Sequence, residues 1–600
     1  MTADQQLAHA WQTLQGGSAV EAERMCLAVL AQYPKSSKAC QLLGLIYDRV
    51  QKSDLAVQYF QKSITFDNQN VEAMNTLAGL YFRENEFPKS EKLLQQILSI
   101  QPEYFPALTR LAELLLTTGK PGEALELIQG FAGNQDTPDI QLLKARAQTE
   151  NGNAELALQS FQVLKTSAYQ GRGLGYYHAK ALDGNEQSED ALAVLMGTEP
   201  APADRHPHFH FKGKILLKLN RFDEAHQAFA EALTIQPTNQ DSLMEVSNLL
   251  FMQKENDRIY DLFEERIEKY PEERNLYVLF GETLSRMDKI DQAIAIIGRG
   301  EAKLGAGPDF HHALANFYIK ANAPEDVKFH AEAVLKINPD ALPARANLSR
   351  AYLMLGQGKQ ALHHADIGAR VLPDDQFWTG LRISALRLLG SPEYERICDY
   401  AKLVRPCPLP PPPGYATTEE FNQELCAEIE KLHNFSMHPL YQSLRNGSQT
   451  SIDLLHCKNP VIQSYYQALD EPIRAYIDAM PEDETHPLYR RKTGSYKFAG
   501  SWSARLNDGG FHINHVHPAG WISAAYYTQV PKAVPDSPTK EGWIKFGEPP
   551  FAIPGADSAE TWFAPKPGWL ALFPSYMWHG TNPIRGKEHR MTIPFDAVPV

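Results

Sequence analysis

Apolar residues recur at i, i+4, i+7 and i+8 in stretches such as RFDEAHQAFAEALTIQP (221–237), the spacing of one helix face closed by a proline. The same run-and-stop pattern ends at Pro34, Pro102, Pro237, Pro271, Pro339 and Pro373. Their separations are 68, 135, 34, 68 and 34 residues, multiples of 34 apart from one residue in the long gap. With each proline at position 32 of a 34-residue unit, position 8 is small: Gly44, Ala78, Ala112, Gly213, Gly281 and Ala315. Position 20 is Ala56, Ala124, Ala225, Ala293 and Ala361. Position 24 is Phe60 and Phe229, and position 11 is Tyr47, Tyr81, Tyr318 and Tyr352. Two antiparallel helices cross closely only where a side chain is small and a large neighbour fills the gap beside it. The pattern therefore predicts helix pairs over residues 3–400, with a register slip around 135–205.

A 34-residue helix-pair unit with these small and aromatic positions resembles the tetratricopeptide repeat family. The resemblance covers residues 1–404 and implies eleven or twelve repeats in a right-handed superhelix, with a concave groove that takes a peptide or protein segment. RPCPLPPPPGY (405–415) then breaks the rhythm. Consecutive prolines cannot continue a helix and favour stiff, extended backbone, so this stretch reads as a linker between domains; a proline-motif docking site is the alternative.

Beyond residue 416 the pattern changes twice. Residues 418–433 and 460–480 keep helical spacing. From Tyr496 onward, SYKFAGSWSARL, GWISAAYYTQV, EGWIKFG, GWLALFP and HRMTIPFDA are short aromatic and β-branched runs bounded by Gly, Pro and Asp. Several short strands over about 100 residues predict a small barrel or double-sheet jelly roll.

The candidate chemistry lies in this last part. In GGFHINHVHPAGW, His515 and His517 share one face of an extended strand, whereas His512 has the opposite parity and reads as structural. LALFPSYMWHGTNP places His579 after an apolar strand, and HRMTIPFD places Arg590 eleven residues further on, with Thr592 on the same face. This set resembles the Fe(II)/2-oxoglutarate oxygenases, which carry an H-x-D/E pair, a distal His, and an Arg followed by x-Ser or x-Thr. The closest resemblance is to a subgroup in which such a domain follows tetratricopeptide repeats and which shows the same HxHP…YY…FPS…H pattern. It implies Fe(II), 2-oxoglutarate and O2, with Arg590 and Thr592 holding the cosubstrate's distal carboxylate. Tyr527 and Ser523 have the parity to line the same cavity. The chain departs from the family at His517, where a carboxylate is expected. Three arrangements follow: a three-histidine site of His515, His517 and His579; a two-histidine site completed by water; or a carboxylate from elsewhere, such as Asp508 or Glu548. The first is preferred. Arg445 and Gln449, in HPLYQSLRNGSQT, are assigned to the same domain without a role.

Composition narrows the classes. Across 600 residues, 58 Lys and Arg oppose 72 Asp and Glu, a net charge of −14, which disfavours nucleic acid and anionic membrane as partners. No run of about 18 apolar residues suggests a membrane span. The start, MTADQQLAHAWQTLQ, has no basic or apolar leader pattern. Six scattered cysteines without CxxC spacing suit a reducing cytoplasm. The His pairs at 311–312 and 363–364 sit in helical repeats and read as packed or solvated. The expected protein is multidomain: an all-α tetratricopeptide superhelix (1–404), a linker (405–415), and an α+β domain with a jelly-roll core (416–600). The expected activity is hydroxylation of a protein or peptide. The rivals are a non-catalytic scaffold with a degenerate metal-binding jelly roll, and an oxygenase acting on a small molecule.

Overall fold

The computed structural model describes residues 2–133, 137–166, 173–435, 437–556 and 558–600. The chain packs as two compact units, Met1–Pro202 and Ala203–Val600.

The first unit is helical, running from Ala3–Gln15 to Ser188–Met196. The positions singled out by the 34-residue pattern are its contacts. Ala56 and Phe60 are fully buried, and a Cβ on Gly44 would stand 2.8 Å from the Phe60 ring. The second unit repeats the arrangement: Ala225 and Phe229 are buried, and a Cβ on Gly213 would meet the Phe229 ring at 2.6 Å. Any side chain there would force the helices apart.

Turn conformation shows the repeat register directly. Left-handed φ occurs at Gly17, Gln51, Asn85, Gly119, Gly152, Glu186, Asn220, Lys254, Asp288, Asn322, Gly356 and Gly390, each in the turn of a helix pair among the described residues. The step is 34 residues except between Gly119 and Gly152, where it is 33. The slip expected around 135–205 is thus a single missing residue. Asn, Asp and Gly are enriched at these turns because their side chains tolerate the left-handed region best.

In the second unit, helix pairs continue to Pro392–Ile397 and lead into two antiparallel sheets. The strands are β1 (Arg405–Pro408), β2 (Leu444–Gln449), β3 (Tyr496–Ser501), β4 (Ala504–His512), β5 (Ile522–Gln529), β6 (Ile544–Phe546), β7 (Thr561–Phe563), β8 (Trp569–Pro574), β9 (His579–Thr581) and β10 (Arg590–Pro599). The larger sheet has the order β1-β8-β5-β10-β4-β2, with β3 also paired to β10; the smaller is β7-β6-β9. The helices expected at 418–433 and 460–480 are Thr418–Glu430, Pro460–Ala468 and Asp470–Asp478.

The proline-rich stretch departs from its expected role as a spacer. Arg405–Pro408 forms the edge strand β1, paired with Leu572–Trp569 of β8, and Leu409 is buried. Prolines are tolerated there because an edge strand has one side free of ladder bonds. Nor does the core stop at this stretch. Trp378, Leu381 and Ala385 of the last long repeat helix share one apolar cluster with Trp521, Tyr576, Trp578 and Phe595. Trp578 donates its indole N–H to Gly380 O at 2.9 Å, and the Gln376 amide donates to Pro518 O at 2.8 Å.

Between Thr418–Glu430 and β2, four described residues lie against repeat helices of the same unit. Phe435 packs on Phe222 with ring centroids 4.3 Å apart, and His438 packs on Phe251 at 5.3 Å. The Leu440 amide donates to Asn248 Oδ1 at 2.8 Å, and the Tyr441 hydroxyl lies 3.1 Å from that of Thr283. The chain thus fills part of its own repeat surface before entering the sheet beside His512.

Candidate metal centre

Three histidines meet where the two sheets join. His579 opens β9; His515 and His517 lie on the extended segment after β4. His515 and His579 exchange backbone hydrogen bonds of 2.9 and 3.0 Å, an isolated antiparallel bridge that locks the two segments together. The His517 amide donates to Ser575 O at 3.0 Å, tying the second histidine to the turn after β8. Alternation along the extended segment puts both rings on one side, as the spacing predicts. The ring centroids are 4.4 Å apart for His515–His579 and 5.1 Å for each of the other pairs.

Hydrogen bonding fixes the tautomers. His515 Nδ1 lies 2.7 Å from Ile513 O, and His579 Nδ1 lies 2.9 Å from Met577 O. His517 Nδ1 lies 2.7 Å from Asp596 Oδ2. Carbonyls and carboxylates only accept, so each Nδ1 carries a proton, and in the neutral rings of His515 and His579 Nε2 presents a lone pair. His515 Nε2 and His517 Nε2 face each other at 3.2 Å, and one ligand atom from each of the three rings lies within 4.8 Å of the others. Two ring nitrogens at this distance share either a proton or a cation. An ion bound about 2.1 Å from two nitrogens at a right angle sets them about 3 Å apart, so the donor set fits a metal. Burial pushes the pKa of His579 well below its ordinary value. Burial and the neighbouring His517 bring His515 down to about 4. A metal entering at neutral pH displaces no proton from these two rings.

Among the described residues no carboxylate belongs to the cluster. Asp508 accepts from the Gly586 amide, and Glu548 pairs with Lys545 at 2.6 Å, so neither turns in. His512 stands outside the triad, its ring 6.4 Å from that of His515 and its Nδ1 3.3 Å from Ser443 Oγ.

Arg590 begins β10 and is buried. It donates to Gly542 O and, at 3.4 Å, to Thr581 Oγ1, two residues along β9 from His579. Its Nε has no partner among the described residues, its guanidinium lies 5.6 Å from the centre of the Tyr527 ring, and burial lowers its pKa. An enclosed guanidinium with an idle donor and no carboxylate partner among the described residues has the chemistry to pair with an anion. Thr592 donates to Ala504 O at 3.3 Å. Beside these residues a cavity of about 510 Å3 is lined by His512, Asn514, Lys545, Phe551 and Thr581.

Ser523 lies elsewhere than expected. Its hydroxyl is 2.6 Å from Asp596 Oδ1 and 2.8 Å from Ser575 Oγ, which puts it behind His517 and not beside Arg590. Arg445, on β2, turns to Gln442 O and Leu444 O, and Gln449 pairs with Ala504. Sequence reading missed Asp596. Its signal was there: an acid on an apolar strand, in step with Arg590 and Thr592.

Comparison with known proteins finds family matches for parts of the chain. Residues 500–596, which include every candidate side chain named for the site, match the family described as Putative 2OG-Fe(II) oxygenase. Residues 37–70 and 209–239 match tetratricopeptide repeats, and 71–174 match the TT21 fifth ARM repeats domain. Three solved structures resemble parts of the chain. A tetratricopeptide repeat protein from Parabacteroides merdae is 19% identical over 39% of this chain and 93% of its own, with a TM-score of 0.35. Pseudomonas aeruginosa pilF is 18% identical over 32% and 89%, with a TM-score of 0.29. Yeast Tom70 is 14% identical over 62% and 98%, with a TM-score of 0.27. No curated protein matches the chain. Among the described residues no helix is long and apolar enough to cross a membrane.

Proposed function

We propose that this tetratricopeptide repeat protein, with its C-terminal segment of the 2OG-Fe(II) oxygenase family, is a 2-oxoglutarate-dependent dioxygenase that hydroxylates a protein or peptide held by the repeats. The observation that carries the reading is the convergence of three imidazoles, one ligand atom of each within 4.8 Å of the others, together with a buried arginine that has no ionic partner among the described residues. His515, His517 and His579 would hold Fe(II), and Arg590 would pair with the distal carboxylate of 2-oxoglutarate. With both bound, the centre supplies oxidation by O2: 2-oxoglutarate loses carbon dioxide to become succinate, and one oxygen atom is transferred to the substrate.

The chain's own residues prepare this. The carbonyls of Ile513 and Met577 keep two rings in the Nε2-donor tautomer. Tyr527 walls the arginine and Thr581 braces it, so water is kept from the ion pair to be formed. Thr592 sits on the Arg590 face and is read as a second donor toward the cosubstrate, available if its hydroxyl leaves Ala504 O. The two antiparallel sheets joined at His515 and His579 support the jelly-roll reading of the fold. Because Phe435, His438, Leu440 and Tyr441 cover part of the repeat surface in the second unit, the substrate is assigned to repeat surface that these residues leave free.

Replacing Arg590 by alanine should weaken 2-oxoglutarate binding by about 2–4 kcal/mol, the scale for leaving a buried charge unpaired. Metal affinity should hardly change, because Arg590 is not a ligand. Calorimetric titration of both variants with 2-oxoglutarate in the presence of a divalent metal is the test. Equal cosubstrate affinity in R590A and the parent would refute the assignment of Arg590.

A further inference from the structure

The triad's three Nδ1–H groups are not satisfied alike. Two reach backbone carbonyls, whereas His517 reaches the carboxylate of Asp596. That carboxylate is well fixed. Asp596 lies directly across the ladder from Ser523, on β10 and β5, and the Ser523 hydroxyl holds its other oxygen at 2.6 Å. Ser523 is in turn 2.8 Å from Ser575 Oγ, on the residue whose carbonyl receives the His517 amide. Trp502 stacks along the His517 ring, with centroids 6.3 Å apart and planes at 16°. The side chains of His517 and Asp596 keep only 11% and 16% of their exposure.

Among the described residues Asp596 has no lysine or arginine partner within salt-bridge distance, and its one ionic contact is His517. A largely buried carboxylate held by one imidazole N–H and one hydroxyl has few compensating partners. A divalent cation on the far nitrogen of that ring would supply the missing positive charge, acting through the imidazole.

We infer that Asp596 is a positioning residue for the metal: it fixes the tautomer and orientation of His517 and brings a negative charge to the site one ring away from the ion, with Ser523 aiming it. The inference rests on the metal-centre reading above and extends it to residues outside the triad. Carboxylates behind a metal-bound imidazole raise its donor strength, and their loss costs about 10–100-fold in metal affinity.

The full-length protein should be titrated with Co(II) as the probe, following its visible absorption, in the parent, D596N, H517A and the H517A/D596N double variant. Asparagine keeps the shape and an acceptor oxygen but removes the charge. D596N should bind Co(II) about tenfold or more weakly, with a shifted spectrum and an unchanged thermal midpoint of the metal-free protein. On the H517A background the same change should alter affinity less than about twofold, because Asp596 acts only through His517. Parental affinity in D596N, or an equal loss in both backgrounds, overturns the inference while leaving the metal centre intact. A parent that binds no Co(II) overturns the metal-centre reading and the inference with it. Should D596N fail to fold, S523A carries the test: it should weaken Co(II) binding in the parent and not in H517A, and unchanged binding in the parent background overturns the inference.

Discussion

Alanine at His515 or at His579 should abolish turnover of 2-oxoglutarate, a larger effect than any other single change in the chain. Each removes one of three Nε2 donors, and the remaining pair cannot hold and orient an ion that must keep positions open for other ligands. The two rings are also the least replaceable. They sit on segments joined by paired backbone hydrogen bonds, so no other donor on those segments can swing into place. His517→Ala tests the third donor: it should cost at least about tenfold in iron affinity, the low end for disrupting such a site. If H517A binds iron and turns over 2-oxoglutarate like the parent, a two-histidine centre replaces the three-histidine one. Succinate assays with parallel metal analysis of each purified variant give the answer.

A chain beginning at residue 416 should fail to fold, whereas residues 203–600 should fold. Cutting at 416 removes β1 from the edge of β8 and strips the repeat helices from the shared core. It orphans the Trp578 indole N–H, bonded to Gly380 O, and the Tyr576 hydroxyl, bonded to Ile397 O at 2.9 Å. An orphaned buried donor costs about 1–3 kcal/mol, and uncovering a large apolar side chain about 1.5–3 kcal/mol. A few such losses consume the roughly 5–15 kcal/mol that a domain has. Circular dichroism and thermal melts of the two fragments are the check: a cooperative melt from the shorter one would show that the last repeats are dispensable.

How much of this was legible in the sequence varied with the range of the interaction. Local periodicity carried the repeats, because Gly44 against Phe60 and Gly213 against Phe229 recur within one unit. Proline spacing showed that one residue is missing between Pro102 and Pro237 but not where; the turn at Gly152 places the short step between Gly119 and Gly152. His515 and His517 were found by strand parity, and Arg590 by its spacing from His579. What was missed was set by pairing across the sheet. Asp596 reaches His517 and Ser523 only because β10 lies beside β5 in one register. The proline-rich stretch looked like a spacer because nothing in its composition says that β8 needs an edge. The docking of Phe435, Leu440 and Tyr441 on the repeat helices joins residues about 160 to 210 positions apart, which no local pattern records.

The measurement that bears most directly on the central claim is a product assay on purified full-length protein. Fe(II), 2-oxoglutarate and O2 are supplied, and succinate is quantified in the parent and in H515A. Succinate formation that needs all three additions and vanishes in H515A is the predicted result. Specific metal binding by the parent without any succinate above the H515A level, with or without peptide fractions added, would contradict it and mark the domain as a non-catalytic metal-binding fold.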